Sequence, residues 1–238
     1  PAPALSKPET PLPETALEKA AAPAVSFFEN AFYKAEFSTL GGTITQLSFL
    51  GEKGRQAFTK TDFFSGNPQE SGSFGVNVLR EKADLAETIF RMVRKGESVE
   101  FFYELPGEYQ ITKTYAFRED KPAIDLRVRI KDLSGRARNF PVTLNYGMSY
   151  KEEDLKNYGY YDAVAYAEKL QTKDLSGIKK KGFFFPEKTL WSGFIKKYFA
   201  LLVKPDGQIV EGSAKAEKQN LWSQITMEPL AVPASGVA

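Results

Sequence analysis

Apolar and polar residues alternate with a period of two along most of the chain from Val25 onward. Adjacent side chains of a β-strand point to opposite faces, so each alternating segment has one apolar and one solvated face. The apolar positions are Tyr33, Ala35 and Phe37; Val99, Phe101, Tyr103 and Leu105; Ile124, Leu126, Val128 and Ile130; and Val142, Leu144, Tyr146 and Met148. The polar positions between them include Glu100, Glu104, Arg127, Arg129, Thr143 and Asn145. This pattern predicts antiparallel strands that cover a core with one face only.

Turn residues separate the alternating segments at short intervals. The signals are Pro106-Gly107, Glu119 to Pro122, Ser134-Gly135 and Asp206-Gly207. Strands joined by short turns form hairpins, and one open sheet of this many strands would curl or split. We therefore predict an all-β, mainly antiparallel sandwich of two large twisted sheets. Residues 151–157 and 174–181 depart from the rhythm, and each is predicted to be a short helix or a loop.

The first 24 residues differ in composition from the rest of the chain. Six of the first 23 residues are prolines, set among Ala, Thr, Glu and Lys. Proline favours an extended, semi-stiff backbone, and these residues have little to anchor a core. We predict a flexible linker over residues 1–24 and a single β-sandwich domain over residues 25–238.

Composition narrows the possible chemistry. The 238 residues contain 32 basic and 30 acidic side chains, too balanced to predict a nucleic-acid groove. The chain has no cysteine and no histidine, which removes thiolate chemistry, Cys-ligated zinc and the commonest general base. We predict that the protein is not an enzyme and uses no metal or cofactor.

Carboxylates are the remaining candidates for acid and base chemistry. Glu100 and Glu104 fall on the polar face of a predicted strand, and Glu152 to Asp154 form an acidic cluster typical of a surface turn. Asp162, Asp174 and Asp206 are isolated in the sequence and lack the spacing of a calcium loop. We interpret Glu100, Glu104 and the acidic cluster as surface charge, and we predict no calcium site at the three isolated aspartates.

The sequence LWSGFIKKYFALLVKP, residues 190–205, combines aromatic anchors with a continuous apolar run. Tyr198 to Val203 is short, rich in strand formers and followed by a turn, which predicts a strand buried on both faces. Trp191, Tyr198 and Phe199 are interpreted as core residues, with a binding groove as the alternative. The run is far shorter than the ~20 residues that cross a bilayer.

Three motifs in order resemble one family, the large periplasmic domain of bacterial YidC-type membrane protein insertases. In that family a Trp, a Lys-Tyr-Phe triplet and a closing Pro occur in order, as do an early double glycine and a threonine-aromatic strand. The matching residues are Trp191, Lys197, Tyr198, Phe199 and Pro205; Gly41 and Gly42; and residues 111–117, ITKTYAF. The resemblance spans residues 25–232. We interpret the motif residues as structural, and the double glycine as a site of positive φ or of a bulge.

The resemblance implies a fold, a location and partners. The fold is a β-supersandwich similar to galactose mutarotase, with one or two short helices. The domain is expected to be tethered at the periplasmic face of the bacterial inner membrane, after one transmembrane helix and before five more. The chain begins without an initiator Met, so we expect it to be part of a longer protein. Its partners are expected to be the Sec translocon subunits SecD and SecF and nascent membrane proteins.

Several alternatives stay open at the level of sequence. The family's last strand has no counterpart after Val232, which would leave a sheet edge exposed. Lys179, Lys180 and Lys181, followed by Phe184, predict either a membrane or partner contact or a solvated turn before a buried strand. A carbohydrate-binding protein of mutarotase-like fold, with Trp191 or Trp222 stacked on sugar, is the second functional hypothesis. A groove for apolar polypeptide is the third.

Overall fold

The computed structural model describes residues 22–51, 61–66, 70, 72–78, 85–151, 153 and 160–234. These residues form nineteen strands, a 3-10 turn at Leu85–Glu87 and a short helix, α1 (Leu175–Lys181). The first nine strands are β1 (Val25–Glu29), β2 (Tyr33–Ser38), β3 (Thr43–Phe49), β4 (Thr61–Ser65), β5 (Gly75–Val78), β6 (Arg91–Lys95), β7 (Ser98–Leu105), β8 (Tyr109–Phe117) and β9 (Ile124–Asp132). The others are β10 (Arg138–Phe140), β11 (Val142–Ser149), β12 (Tyr161–Tyr166), β13 (Leu170–Asp174), β14 (Phe183–Phe184), β15 (Trp191–Lys196), β16 (Phe199–Val203), β17 (Ile209–Glu217), β18 (Asn220–Met227) and β19 (Leu230–Val232).

The described strands all pair antiparallel, which confirms the predicted all-β class. Their hydrogen bonds divide them into sheets of order β1-β2-β3-β4, β6-β7-β8-β9, β14-β17-β18-β11-β5 and β13-β12-β15-β16, with β10-β19 as a separate pair. The prediction was of two large twisted sheets, and among the described residues the ladders are divided further, into four sheets and one pair of strands. Alternation of residue type locates a strand but carries no information about where one ladder stops and another begins.

The helix and linker predictions have different outcomes. Residues 174–181 form α1, which begins where the Asp174 carboxylate accepts a hydrogen bond from the Gly177 N–H at 3.1 Å. The helix ends at Gly182, at a φ of +66°. Most of residues 151–157 and residues 1–21 of the predicted linker lie outside the described residues, so the domain boundary stays a prediction.

Alternating burial follows the predicted faces in β7 and β9, but β11 differs. Thr143 was predicted to be solvated, yet only 1% of its surface is exposed. β11 lies between β18 and β5, and Thr143 is paired on both sides, with Thr226 and with Asn77. The Thr143 hydroxyl satisfies its hydrogen-bonding need by donating to the carbonyl of Asn77 at 3.4 Å.

Aromatic side chains dominate the core. Phe37, which is fully buried, contacts Phe101, Tyr115 and Phe117 at ring-centroid distances of 5.8, 5.3 and 6.0 Å. The ring of Phe117 also stacks on Phe28 at 3.9 Å. Each ring removes a large apolar area from water, so this cluster joins the β1–β4 sheet to the β6–β9 sheet.

One hydrogen bond between side chains joins two other sheets. The hydroxyls of Tyr146 on β11 and Ser192 on β15 are 2.7 Å apart, and both residues are buried. Burial raises the pKa of Tyr146 to about 12, so the phenol stays protonated and can take part in this bond at neutral pH.

A lysine lies at the centre of this core. Lys113 shares the inward face of β8 with Ile111 and Tyr115, and its surface is fully buried. Its ammonium donates hydrogen bonds to the carbonyls of Gly41 at 3.0 Å and Gly42 at 2.6 Å, and to a third carbonyl, that of Phe74, at 3.0 Å. An ammonium has three N–H donors, so all three are satisfied.

The turn after β2 is shaped to present two of these carbonyls. Gly41 and Gly42 have φ of +66° and +55°, so of the two predicted alternatives, positive φ or a bulge, the double glycine adopts positive φ. A Cβ atom on Gly42 would lie 3.0 Å from the ring of Phe101, so a larger residue would disturb the core as well as the backbone. The hydroxyl of Tyr115 also donates to the Gly42 carbonyl, at 2.9 Å.

Replacing Lys113 by methionine is expected to destabilise the fold by about 3 kcal/mol. The buried Gly41 carbonyl loses its lysine donor, and the Gly42 and Phe74 carbonyls keep only the Tyr115 hydroxyl, while most of the side-chain volume is retained. Urea denaturation measures the change. The matched control is Lys215→Met, whose side chain is 70% exposed and should change stability by less than about 0.5 kcal/mol. Equal stability of the two variants would show that the Lys113 bonds do not support the fold.

Stability should also depend on pH through Lys113. Burial lowers the pKa of this residue from 10.5 to about 7. Between about pH 7 and pH 10 the unfolded chain holds a proton that the folded chain has released, so the free energy of unfolding rises with pH. Below about pH 7 both states are protonated and this contribution is constant. Relative to Lys113→Met, the wild type should gain about 2 kcal/mol between about pH 7 and pH 9 in urea denaturation, and a flat difference would contradict the assignment.

Candidate functional site

An apolar groove of about 810 Å³ lies between β9, at the edge of one sheet, and β16, at the edge of another. The β9 wall is formed by Ile124, Leu126 and Val128, which are only partly buried. Residues that line the β16 wall and the floor include Phe199, Leu201, Val203, Phe49, Phe63, Leu47, Val76 and Leu144. A largely apolar concave site of this volume is typical of a ligand-binding pocket.

Ring contacts orient the groove. Phe199 contacts Phe49 at 5.8 Å, Phe49 contacts Tyr33 at 6.0 Å, and Tyr33 contacts Phe117 at 6.2 Å. Phe117 is paired in turn with Ile124, the first residue of β9. The two edge strands therefore begin at the same end of the groove. We call this the Tyr198 end, and we call the opposite end, where Pro205, Asp206 and Glu228 line the groove, the Pro205 end.

The prediction that residues 198–203 are buried on both faces is wrong. β16 is an edge strand in which Ala200 and Leu202 are exposed while Phe199, Leu201 and Val203 are partly buried. The exposed fraction of Leu202 is 52%. A short apolar run is consistent with a fully buried strand, but it also describes an edge strand with an apolar outer surface.

The family triplet of Lys197, Tyr198 and Phe199 divides between a turn and the groove. Lys196 pairs with Phe199, so Lys197 and Tyr198 form a two-residue hairpin loop in which Lys197 has a φ of +52°. Tyr198 is 76% exposed, and the Lys197 ammonium lies 4.9 Å from the centre of its ring. The interpretation of Tyr198 as a core residue is therefore wrong, whereas Phe199 packs on Phe49 and Phe63.

The tryptophans lie outside the groove lining. Trp191 is half-buried and stacks on Tyr166, with ring centroids 5.4 Å apart and planes inclined by 9°. Trp222 is half-buried against the ring of Phe64 at 5.3 Å. Neither tryptophan lines this groove, so neither supplies an aromatic platform for a sugar within it.

The basic and aromatic segment after α1 has one exposed aromatic residue. Lys179, Lys180 and Lys181 occupy the last turn of the helix and are exposed, and the Lys179 ammonium lies 4.9 Å from the centre of the Tyr150 ring. Phe184 is 78% exposed, whereas its neighbours at 183 and 185 are partly buried and contact each other. The predicted membrane or partner contact at this segment stays a prediction.

The structure brings together two carboxylates that the sequence analysis treated as isolated. Asp162 on β12 lies directly opposite Asp174 on β13. Partial burial and the neighbouring Asp174 raise the pKa of Asp162, while Asp174 is occupied as the cap of α1. Glu100 forms an ion pair with Lys95. Among the described residues, no group of three or more Asp, Glu, His or Cys side chains is placed to hold a metal ion; Glu152 and Asp154 lie outside them.

Lys113 is the residue that sequence reasoning missed. It falls at the centre of ITKTYAF, a motif interpreted only as a threonine-aromatic strand. The signal was present, because period-two alternation places Lys113 on the same face as Ile111, Tyr115 and Phe117, the apolar face of β8. Below the groove, the single O–H proton of Tyr115 is shared between the Gly42 carbonyl and the Phe74 carbonyl, which is 3.1 Å away and also accepts from Lys113.

Comparison with solved structures identifies the fold. A galactose mutarotase-like protein from Lactobacillus casei ATCC 334 superposes with a TM-score of 0.63, at 8% identity, over 90% of this chain and 97% of its own. A galactose mutarotase related enzyme from Lactobacillus acidophilus gives a TM-score of 0.59, at 11% identity, over 90% of this chain and 94% of its own. Identities this low show a shared fold and carry no activity across.

Comparison of sequences identifies the family. The membrane protein insertase YidC of Syntrophus aciditrophicus (strain SB) is 26% identical over 148 residues, which is 60% of this chain and 26% of that protein. This chain therefore spans about a quarter of the length of that relative. No helix among the described residues has the length and apolar character needed to cross a membrane. The family model of the YidC periplasmic domain matches residues 27–237, and the chain accordingly belongs to the YidC periplasmic domain family.

Proposed function

We propose that this chain is a non-catalytic interaction domain of a membrane protein insertase, held at the periplasmic face of the bacterial inner membrane. In this proposal the rest of the insertase performs insertion, and this domain contacts nascent membrane proteins and the translocon subunits SecD and SecF. Family membership supports the setting. The observation that carries the interaction role is the apolar groove, with the exposed Tyr198 at one end.

The residues around the groove favour binding over chemistry. Only three charged residues line it, Lys204, Asp206 and Glu228. All three are at the Pro205 end. The rest of the lining is mainly apolar and aromatic. Such a surface stabilises a complex by burying apolar area and offers few groups for proton transfer.

A carbohydrate-binding role is the second candidate, because a groove of this size occurs on a mutarotase-like fold. The position of both tryptophans outside the groove weighs against it. Titration of the chain with mono- and oligosaccharides, followed by tryptophan fluorescence and calorimetry, tests this role. Saturable binding of one sugar class would replace the interaction role with this one.

Tyr198 should contribute little to folding, because most of its ring is in water. Tyr198→Ala is expected to change the free energy of unfolding by less than about 0.5 kcal/mol. Phe199→Ala removes a ring that packs on Phe49 and Phe63 and should cost about 2 kcal/mol. Urea denaturation of both variants makes the comparison. A large loss for Tyr198→Ala would assign this residue to the core and remove it from the proposed contact surface.

Photocrosslinking in cells tests the partners. The photoreactive residue p-benzoylphenylalanine, placed at position 198 of the whole insertase, is expected to crosslink to a nascent membrane protein or to SecD or SecF. The matched control is position 27, where Phe27 is an exposed aromatic residue on β1 that does not line the groove. Position 184 tests the segment after α1 in the same way. Equal labelling at positions 198 and 27, or none at either, would contradict the proposed contact.

A further inference from the structure

The two strands that flank the groove have free edges among the described residues. β16 pairs only with β15, and β9 pairs only with β8. Lys196 and Phe199 close a two-residue hairpin, so the backbone bonds to β15 are made at Phe199, Leu201 and Val203. The N–H and C=O groups of Ala200 and Leu202 consequently point away from β15, along the edge of the sheet.

The edge of β9 also has backbone N–H and C=O groups that point away from its partner strand. The Arg118 N–H donates to the Ala123 carbonyl at 3.0 Å, which fixes the alternation of bonded pairs in the β8–β9 hairpin. By that alternation, Leu126 and Val128 direct their backbone groups away from β8. Their side chains also line the groove. Each wall therefore combines apolar side chains with a row of backbone donors and acceptors spaced two residues apart.

This combination discriminates between classes of ligand. An acyl chain would cover the apolar floor and leave the backbone groups of the edges without partners, which costs free energy when water is excluded. A sugar would place hydroxyls against the apolar floor. An extended polypeptide satisfies both features, because its backbone continues the ladder and its alternate side chains enter the groove.

Charge and direction define the segment further. β9 and β16 begin at the same end of the groove, so a strand antiparallel to one is antiparallel to the other and has its N-terminus at the Pro205 end. The charged lining there is Lys204, Asp206 and Glu228, one negative charge in excess. A basic residue at the N-terminal end of the segment complements that charge.

We propose that the groove binds an extended polypeptide by strand addition, with alternate apolar residues in the groove and a lysine or arginine at its N-terminal, Pro205 end. The inference rests on the proposed interaction role and names the chemistry of the partner. Strand addition can be wrong while the interaction role is correct, because crosslinking at position 198 detects contact with any partner. Peptide binding tests instead whether the partner is held through its backbone.

The probe is a fluorescent, N-terminally acetylated peptide, Lys-Val-Thr-Val-Thr-Val-Thr, titrated into the 238-residue chain and followed by fluorescence anisotropy. Three changes to the peptide or the protein should each weaken binding about tenfold or more. The first is N-methylation of alternate peptide amides, which removes ladder donors and keeps the side chains. The second is Ala200→Pro, which removes an outward N–H from an edge strand, a position where proline is tolerated. The third is Leu126→Lys, which places a charge on the apolar wall.

Replacing the peptide's lysine by glutamate should weaken binding severalfold, and Asp206→Asn together with Glu228→Gln should abolish that preference. If Ala200→Pro loses its β-sheet circular dichroism, the N-methylated peptide with wild-type protein still decides the question. Equal affinity for the methylated and unmethylated peptides would overturn strand addition. Failure of the unmethylated peptide to bind, with saturable binding of dodecyl maltoside, would overturn it in favour of an acyl or sugar ligand.

Discussion

The ammonium of Lys113 joins three parts of the chain that are distant in sequence. It lies on β8 and donates to two carbonyls in the turn between β2 and β3 and to the carbonyl of Phe74, just before β5. Burying an ammonium is costly, and the geometry offsets that cost with one acceptor for each proton. The left-handed backbone at Gly41, Gly42 and Phe74 is what turns these carbonyls inward, so the turns and the lysine depend on each other.

The groove depends on this core. Phe74 and Tyr115, which take part in the Lys113 network, also line the groove, and Val76 on β5 lies two residues beyond Phe74. Part of the groove floor is therefore fixed by buried hydrogen bonds. The side chains that meet a partner can then be few and exposed, as Tyr198 is, because the residues beneath them supply the rigidity.

The family triplet illustrates how packing and contact divide between adjacent residues. Phe199 contributes to the core through Phe49 and Phe63, whereas Lys197 and Tyr198 extend beyond it in a hairpin loop. Lys197 adopts a positive φ, which is unfavourable for a residue with a Cβ and is more easily adopted by glycine. Neither that backbone strain nor the exposure of Tyr198 adds to the stability of the fold, and both are consistent with a contact role.

The sequence by itself determined the all-β class and the positions of β7 and β9, and it marked the double glycine as a place for positive φ or a bulge, because alternation and turn chemistry act over a few neighbouring residues. Only the tertiary structure decided where one sheet ends and the next begins, and that β16 lies at the edge of its sheet. It also decided that Asp162 lies opposite Asp174 and that three carbonyls accept hydrogen bonds from Lys113. An apolar run has the same composition whether a second strand pairs with it or not. Likewise, a lysine on the apolar face of a strand can be buried only when carbonyls from distant turns accept its hydrogen bonds. The residues next to it in the sequence do not indicate whether such carbonyls are present.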